Sequence, residues 1–357
     1  MVVRSLFLRF IAPLPLLFGS GCVFAPLNPD YAGPKARSLE LNEYYAPNGS
    51  YLNYSEELLS VEDDFTVKRI TLETSYGPVK VDYFARHKRS DDLVFVFPVL
   101  GGKNIIENHF ARYFAARGFD TAIVHRNGEF KHPENFERLE TLFKENVIRD
   151  RITMDFFESV YQKRDFGSFG ISRGAMNVAM TAGVDERMKY NVLALGGAGL
   201  TEIFRDSTER GVKKFRKKVM ASRNMNEEEF YAYLKSELHT TPEALASHID
   251  ARNTLMILAV FDTTVPFRYG VRLRNKIGRP ETVFLAAGHY TSLLFTQFVK
   301  LVPPDEIFCI FPFDYIETES LAFYRRSFVG KSTLKEIPFN ILQFPFNLLS
   351  RFLEAVF

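Results

Sequence analysis

Tryptophan is absent and cysteine occurs only twice in 357 residues. No Cys/His spacing of the zinc type occurs, which removes a zinc module from the candidate functions. No glycine-rich phosphate loop occurs either, which removes the nucleotide-binding folds built around one. The chain has no internal repeat, so a solenoid is excluded. The formal net charge is only +2, far from the basic excess of a dedicated nucleic-acid binder. Phenylalanine is abundant, at 36 residues, and by itself carries no functional message. Apolar residues at 46% and charged residues at 25% are ordinary globular values. The length suffices for one large domain with an insertion or a tail.

The two cysteines, Cys22 and Cys309, could pair, but Cys22 sits in what reads as an export signal. Arg4 and Arg9 form a positive start, residues 10–18 are apolar, and Gly19-Ser20-Gly21-Cys22 follows. That order is the order of a secretory signal. A cysteine directly after small residues resembles a bacterial lipoprotein cleavage site. The resemblance implies a lipidated Cys22 thiol as the new N-terminus and a mature body in the cell envelope, outside the cytoplasm, attached to the membrane through that end. The chain departs from the pattern at Gly19, where a leucine is usual, and Pro13 and Pro15 interrupt the apolar stretch. An uncleaved anchor and an ordinary signal peptide are the alternatives.

Residues 23–64 are rich in Pro, Asn, Tyr and Ser with little periodicity, and read as a linker and lead-in. A hairpin follows, with alternation over 66–74 and 79–85 about Tyr76-Gly77-Pro78. The continuous apolar run at 93–97 predicts a strand buried on both faces. Helix and strand then alternate. Helices are expected at 108–117, at 133–161 as one long or broken element, and at 175–184, 267–276 and 290–300. Strands are expected at 119–124, 164–171, 190–195, 255–261 and 282–286. This order predicts an α/β fold with a mostly parallel sheet covered on both faces, over residues 65–300. Residues 201–253 lack a strand and read as a helical lid over the strand ends. Its basic run, Arg210 to Lys218, reads as a solvated helix face, with an anionic substrate or lipid headgroups as the other reading. Residues 301–357 form an apolar C-terminal extension. Over 337–357 it carries Pro338, Pro345, Arg351 and Glu354, which oppose a spanning helix and leave docking on the domain or on a membrane surface.

The most informative motif is Gly170-Ile171-Ser172-Arg173-Gly174, between an expected strand and an expected helix. Small residues on both sides let a strand turn sharply into a helix and expose the hydroxyl at the sheet edge. Asp262 and His289 follow later, each after an expected strand. A serine hydroxyl is a poor nucleophile at neutral pH and needs a base to take its proton. An imidazole suits that task, and a carboxylate fixes its tautomer and stabilises the cation that forms. His125 is the rival base by placement, and Glu202 is the fallback acid.

With Asp262-Thr263-Thr264-Val265-Pro266 and Gly288-His289, residues 66–300 resemble the α/β-hydrolase superfamily. The resemblance implies the chain order nucleophile, acid, histidine, hence Ser172, Asp262 and His289. It implies an oxyanion hole made by the Arg173 N–H and by an N–H from the loop after residues 93–97. Leu100 is expected to supply the latter, with Val99 and Gly101 as alternates. Family members often carry His-Gly where this chain has Pro98-Val99. The implied activity is that of a serine hydrolase, a carboxylic ester hydrolase, acting on a small acyl-containing substrate without metal or organic cofactor. An acyltransferase on the same scaffold and a non-catalytic envelope binding protein are the alternative readings.

Overall fold

The computed structural model describes residues 30–100, 105–126, 128–297 and 314–329. Cys22, Cys309, Gly101 and the apolar stretch at 337–357 lie outside the described residues. Among the described residues no helix is long and apolar enough to cross a membrane.

A short helix, α1 (Leu39–Tyr44), precedes three antiparallel strands, β1 (Asn53–Val61), β2 (Phe65–Glu73) and β3 (Val79–Arg86). The segment read as a linker therefore contributes a helix and an edge strand. β1 gave no periodic signal because almost all of its residues are exposed on both faces. The hairpin of β2 and β3 falls where alternation predicted it.

From there strand and helix alternate: β4 (Asp92–Phe97), α2 (Ile105–Ala115), β5 (Asp120–Val124), α3 (Leu139–Tyr161), β6 (Asp165–Ile171), α4 (Arg173–Val184) and β7 (Met188–Ala194). The helix expected over 133–161 is broken, opening with a 3₁₀ segment, Pro133–Arg138, before α3. A helical insertion follows β7, with α5 (Leu200–Asp206), α6 (Arg210–Arg223), α7 (Glu227–Glu237) and α8 (Pro242–Leu245). The domain closes with β8 (Thr254–Ala259), α9 (Phe267–Ile277) and β9 (Glu281–Leu285). Of the helix expected at 290–300, the described part holds a 3₁₀ turn, Thr291–Phe295, where the Ser292 and Thr296 hydroxyls donate to nearby carbonyls and compete with helical bonding, and residues 298–300 lie outside the described residues. The C-terminal extension supplies one described helix, α10 (Tyr315–Val329).

All nine strands form one sheet in the order β1-β2-β3-β5-β4-β6-β7-β8-β9. Pairs from β5 onward are parallel. The period of two in each strand splits its apolar residues between two cores. Val94 and Val96 of β4 face α2 and α10, packing with Phe110, Phe114, Phe169 and Tyr324. Leu93, Phe95 and Phe97 face α3, α4 and α9, packing with Phe157, Val178 and Leu273. Each fully buried phenylalanine stabilises the fold by about 2–3 kcal/mol. A third cluster joins α5, α6 and α7 to Phe136, Phe143, Met176, Val265 and Tyr269, and so fastens the insertion over the carboxyl ends of the strands.

α10 covers the β6 face opposite α4. Its Tyr324 is fully buried and donates a hydrogen bond from its hydroxyl to the Ser168 carbonyl, 2.7 Å away. Gly167 leaves room for the Phe328 ring, which a Cβ there would meet at 2.8 Å.

Candidate active site

Ser172 stands between the end of β6 and the first turn of α4, with φ 56° and ψ −117°. Positive φ on a residue bearing a Cβ is strained by about 1–3 kcal/mol and persists only where its surroundings hold it. The two glycines of the pentad supply that hold. A Cβ on Gly170 would run into the Gly174 backbone, and a Cβ on Gly174 into the Phe97 carbonyl. The Ser172 N–H also donates to the Ala194 carbonyl of β7, at 2.8 Å. The hydroxyl is thus pinned at the carboxyl edge of the sheet, partly open to solvent.

The loops after β8 and β9 are stitched together. Val260 N–H donates to the Leu285 carbonyl and Phe261 N–H to the Ala287 carbonyl, both at 2.9 Å. This pairing sets Asp262 beside His289. One carboxylate oxygen of Asp262 accepts the N–H groups of Thr264 and Val265, at 2.8 and 2.9 Å. The other lies 2.7 Å from His289 Nδ1. His289 Nε2 lies 2.9 Å from Ser172 Oγ. The acid is buried, at 6% exposure, so its bond to the imidazole is shielded from water. The structure therefore brings the predicted serine, histidine and aspartate into one hydrogen-bonded chain.

The other candidates are occupied. His125 Nε2 lies 2.8 Å from Asp82, which also takes Arg69 in a two-point ion pair. Glu202 pairs with Arg272 at 3.1 Å. Arg173 opens α4, and the first N–H groups of a helix have no acceptor within it. Its N–H therefore meets the requirement of an oxyanion donor. Of the expected donors after β4, Val99 is excluded, because its N–H is already given to Glu107 Oε1. Leu100 lies in the turn after β4, and the other alternate, Gly101, lies outside the described residues.

Sequence reading missed Glu107. It is buried at 1% exposure on α2, its second oxygen has no partner among the described residues, and burial pushes its carboxyl up. An acid among the apolar residues of that helix was the available signal. It also missed Tyr290, whose hydroxyl reaches Glu209, the cap of α6. Thr208 of the same connection donates its N–H to the Thr263 carbonyl at 3.2 Å, so the insertion touches both loops that carry the triad.

Among the described residues no group of three His, Cys, Asp or Glu side chains could hold a metal ion. Shallow clefts of about 420 Å³ beside Arg268 and Arg272, and about 610 Å³ along Lys217 to Glu229, do not border Ser172. Neither gathers a nucleophile with a base.

No family model and no curated protein matches the chain in sequence. Solved structures match it in shape. Acetyl xylan esterase 1 from Thermoanaerobacterium sp. JW/SL YS485 superposes with a TM-score of 0.53 at 14% identity, over 72% of this chain and 91% of that one. Acetyl xylan esterase from Paenibacillus sp. R4 gives 0.53 at 18% identity, over 70% and 87%. The acylaminoacyl peptidase of Pyrococcus horikoshii gives 0.52 at 14% identity, over 76% of this chain but 44% of the peptidase. The fold is that of the α/β-hydrolases. Identities this low establish the fold alone.

Proposed function

We propose that this protein is a serine hydrolase that cleaves a carboxylic ester through an acyl-enzyme. The observation that carries the reading is the hydrogen-bonded chain from Ser172 through His289 to Asp262, at 2.9 and 2.7 Å. With Nδ1–H given to Asp262, the imidazole keeps Nε2 free of a proton and facing the hydroxyl. Nε2 takes the hydroxyl proton as Oγ attacks the acyl carbon. The tetrahedral oxyanion is held by the Arg173 and Leu100 N–H groups at the start of α4 and after β4. His289 then passes its proton to the departing alkoxide, and the alcohol leaves. Water enters, gives a proton to Nε2 and attacks the acyl carbon; as the acyl–Oγ bond breaks, Nε2 returns that proton to Ser172 Oγ and the acid leaves. The ester follows from the resemblance in the sequence; the fold itself is shared with two acetyl xylan esterases and with an acylaminoacyl peptidase.

A fluorophosphonate probe tests the reading. Wild-type protein should be labelled and Ser172→Ala should not; a folded wild type that resists the probe and turns over no 4-nitrophenyl ester refutes it in favour of a binding protein. Added alcohol separates an acyltransferase by the appearance of a new ester. We also propose envelope attachment through Cys22, resting on residue order alone. Cys22→Ser should move the protein from the membrane fraction to the soluble one, and unchanged retention refutes lipid attachment.

A further inference from the structure

The side chain of Arg173 does something its backbone role does not require. The residue is 9% exposed, its Nε is buried without a hydrogen-bond partner, and no carboxylate of the described residues pairs with its guanidinium. It lies over the rings of Phe143, at 4.4 Å, and Phe130, at 5.3 Å. Both rings belong to, or pack on, the apolar cluster beneath the insertion. The charged group that acts on it is another cation, Arg126, which is spoken for: it holds Asp150 through two bonds, at 2.5 and 2.7 Å. Asp150 in turn accepts the Thr181 hydroxyl at 2.6 Å. Arg126 is thus paired with Asp150, whereas Arg173, next in sequence to the nucleophile, has no ion-pair partner among the described residues.

Such a charge is costly. Burial first, and Arg126 second, push the Arg173 guanidinium down to about 9. A guanidinium still holds its proton at neutral pH. Ring faces offset a buried cation only in part. A protein that needed only the backbone N–H of this residue would be more stable with a methionine here, since a buried cation without a partner is destabilising.

The side on which the charge lies decides which half of an ester meets it. Sheet order places β5 on one flank of the β4–β6 pair and β7, β8 and β9 on the other. Phe130 and Phe143 follow β5 in the chain, whereas His289 and Asp262 come from the loops after β9 and β8. The alcohol must depart on the flank of His289, which protonates it. The acyl chain is left on the flank of Phe130, Phe143 and Arg173.

We infer that the acyl chain of the substrate ends in a carboxylate, which Arg173 receives as its missing counter-ion. The planar fork of a guanidinium suits a carboxylate through two parallel bonds. One net positive charge matches a monoanion, which favours a carboxylate over a phosphate dianion. The inference rests on the serine hydrolase reading and narrows its substrate to monoesters of dicarboxylic acids.

The test compares kcat/KM for the 4-nitrophenyl monoesters of adipic and suberic acids with the neutral hexanoate and octanoate esters of equal length. Wild-type protein should favour an anionic ester at least tenfold in one of the pairs. Arg173→Gln should lower that ratio at least tenfold, and Arg173→Lys should lie between, having charge without the fork. A wild type that hydrolyses the neutral esters and shows no anionic preference in either pair overturns the inference and leaves the hydrolase reading standing. An undiminished ratio in Arg173→Gln overturns it as well. Absence of both turnover and Ser172 labelling overturns the two readings together. If the glutamine variant fails to fold, inhibition of the wild type decides: adipate or suberate should compete, and the neutral diamides should not. Competition by phenyl phosphate but by neither dicarboxylate would give the site to a phosphate and refute the carboxylate.

Discussion

Replacing Asp262 by asparagine changes one oxygen into an NH2 group and nothing in size. The amide has a fixed way to sit. Two backbone N–H groups, of Thr264 and Val265, point at one oxygen, at 2.8 and 2.9 Å. Only the amide oxygen can accept them, so the NH2 group faces His289 Nδ1. That nitrogen must then become an acceptor, and the ring proton moves to Nε2. Nε2 donates to Ser172 Oγ instead of accepting from it, and the base is lost with the geometry intact. Loss of the correct tautomer lowers kcat by about 10⁴, equivalent to about 5.4 kcal/mol on the barrier. Stability should change by only about 1 kcal/mol, because both backbone bonds survive. Steady-state turnover of a 4-nitrophenyl ester, with a urea midpoint as the folding control, measures both. A folded Asp262→Asn protein within tenfold of wild-type kcat would mean that the imidazole takes its tautomer from elsewhere, and the reasoning fails.

Gly174→Ala should destabilise by about 1–3 kcal/mol in urea and abolish turnover, since its methyl group collides with the Phe97 carbonyl of β4; wild-type stability would contradict the collision. Tyr290→Phe removes the hydroxyl that holds Glu209, so trypsin should cut α6 faster while the global midpoint moves by less than about 1 kcal/mol; an unchanged digestion rate would show that the bond does not fasten the insertion. Asp92 sits opposite Asp165 in the β4–β6 register, and burial, with Asp165 second, pushes its carboxyl up to about 6. A raised folded value means that the native state favours the protonated form, so the ionised group destabilises above about pH 6. Asp92→Asn should therefore stabilise at pH 7, with the gain fading as pH falls from about 6 to 4; a gain that is constant over that range would refute the shift.

The sheet from β2 onward was legible because each strand is either alternating or apolar throughout, and those patterns are the imprint of burial. β1 was not, because it buries almost nothing and so leaves no imprint. The triad was legible for a different reason: Ser172, Asp262 and His289 each stand just past a strand, and parallel strands end on one edge. What the linear order could not give is which side chains turn inward after that edge. No role was legible for the guanidinium of Arg173 or the carboxyl of Glu107, since charged residues are mostly exposed. Their burial depends on Phe130, Phe143 and the Val99 N–H, contributed by separate segments.

α10 bears on the order in which the molecule is made. The Tyr324 hydroxyl caps the carbonyl of Ser168, 156 residues earlier in the chain. A nascent polypeptide that has emerged through His289 already owns its nucleophile, acid and base. On the face of β6 where Phe110 and Phe114 already cover Phe169, the stretch around Gly167 and Ser168 nevertheless waits for Tyr324 and Phe328. A ribosome-stalled or truncated product ending at residue 297 would carry all three reactive groups while the stretch of β6 around Gly167 and Ser168 is still open to chaperones and to aggregation.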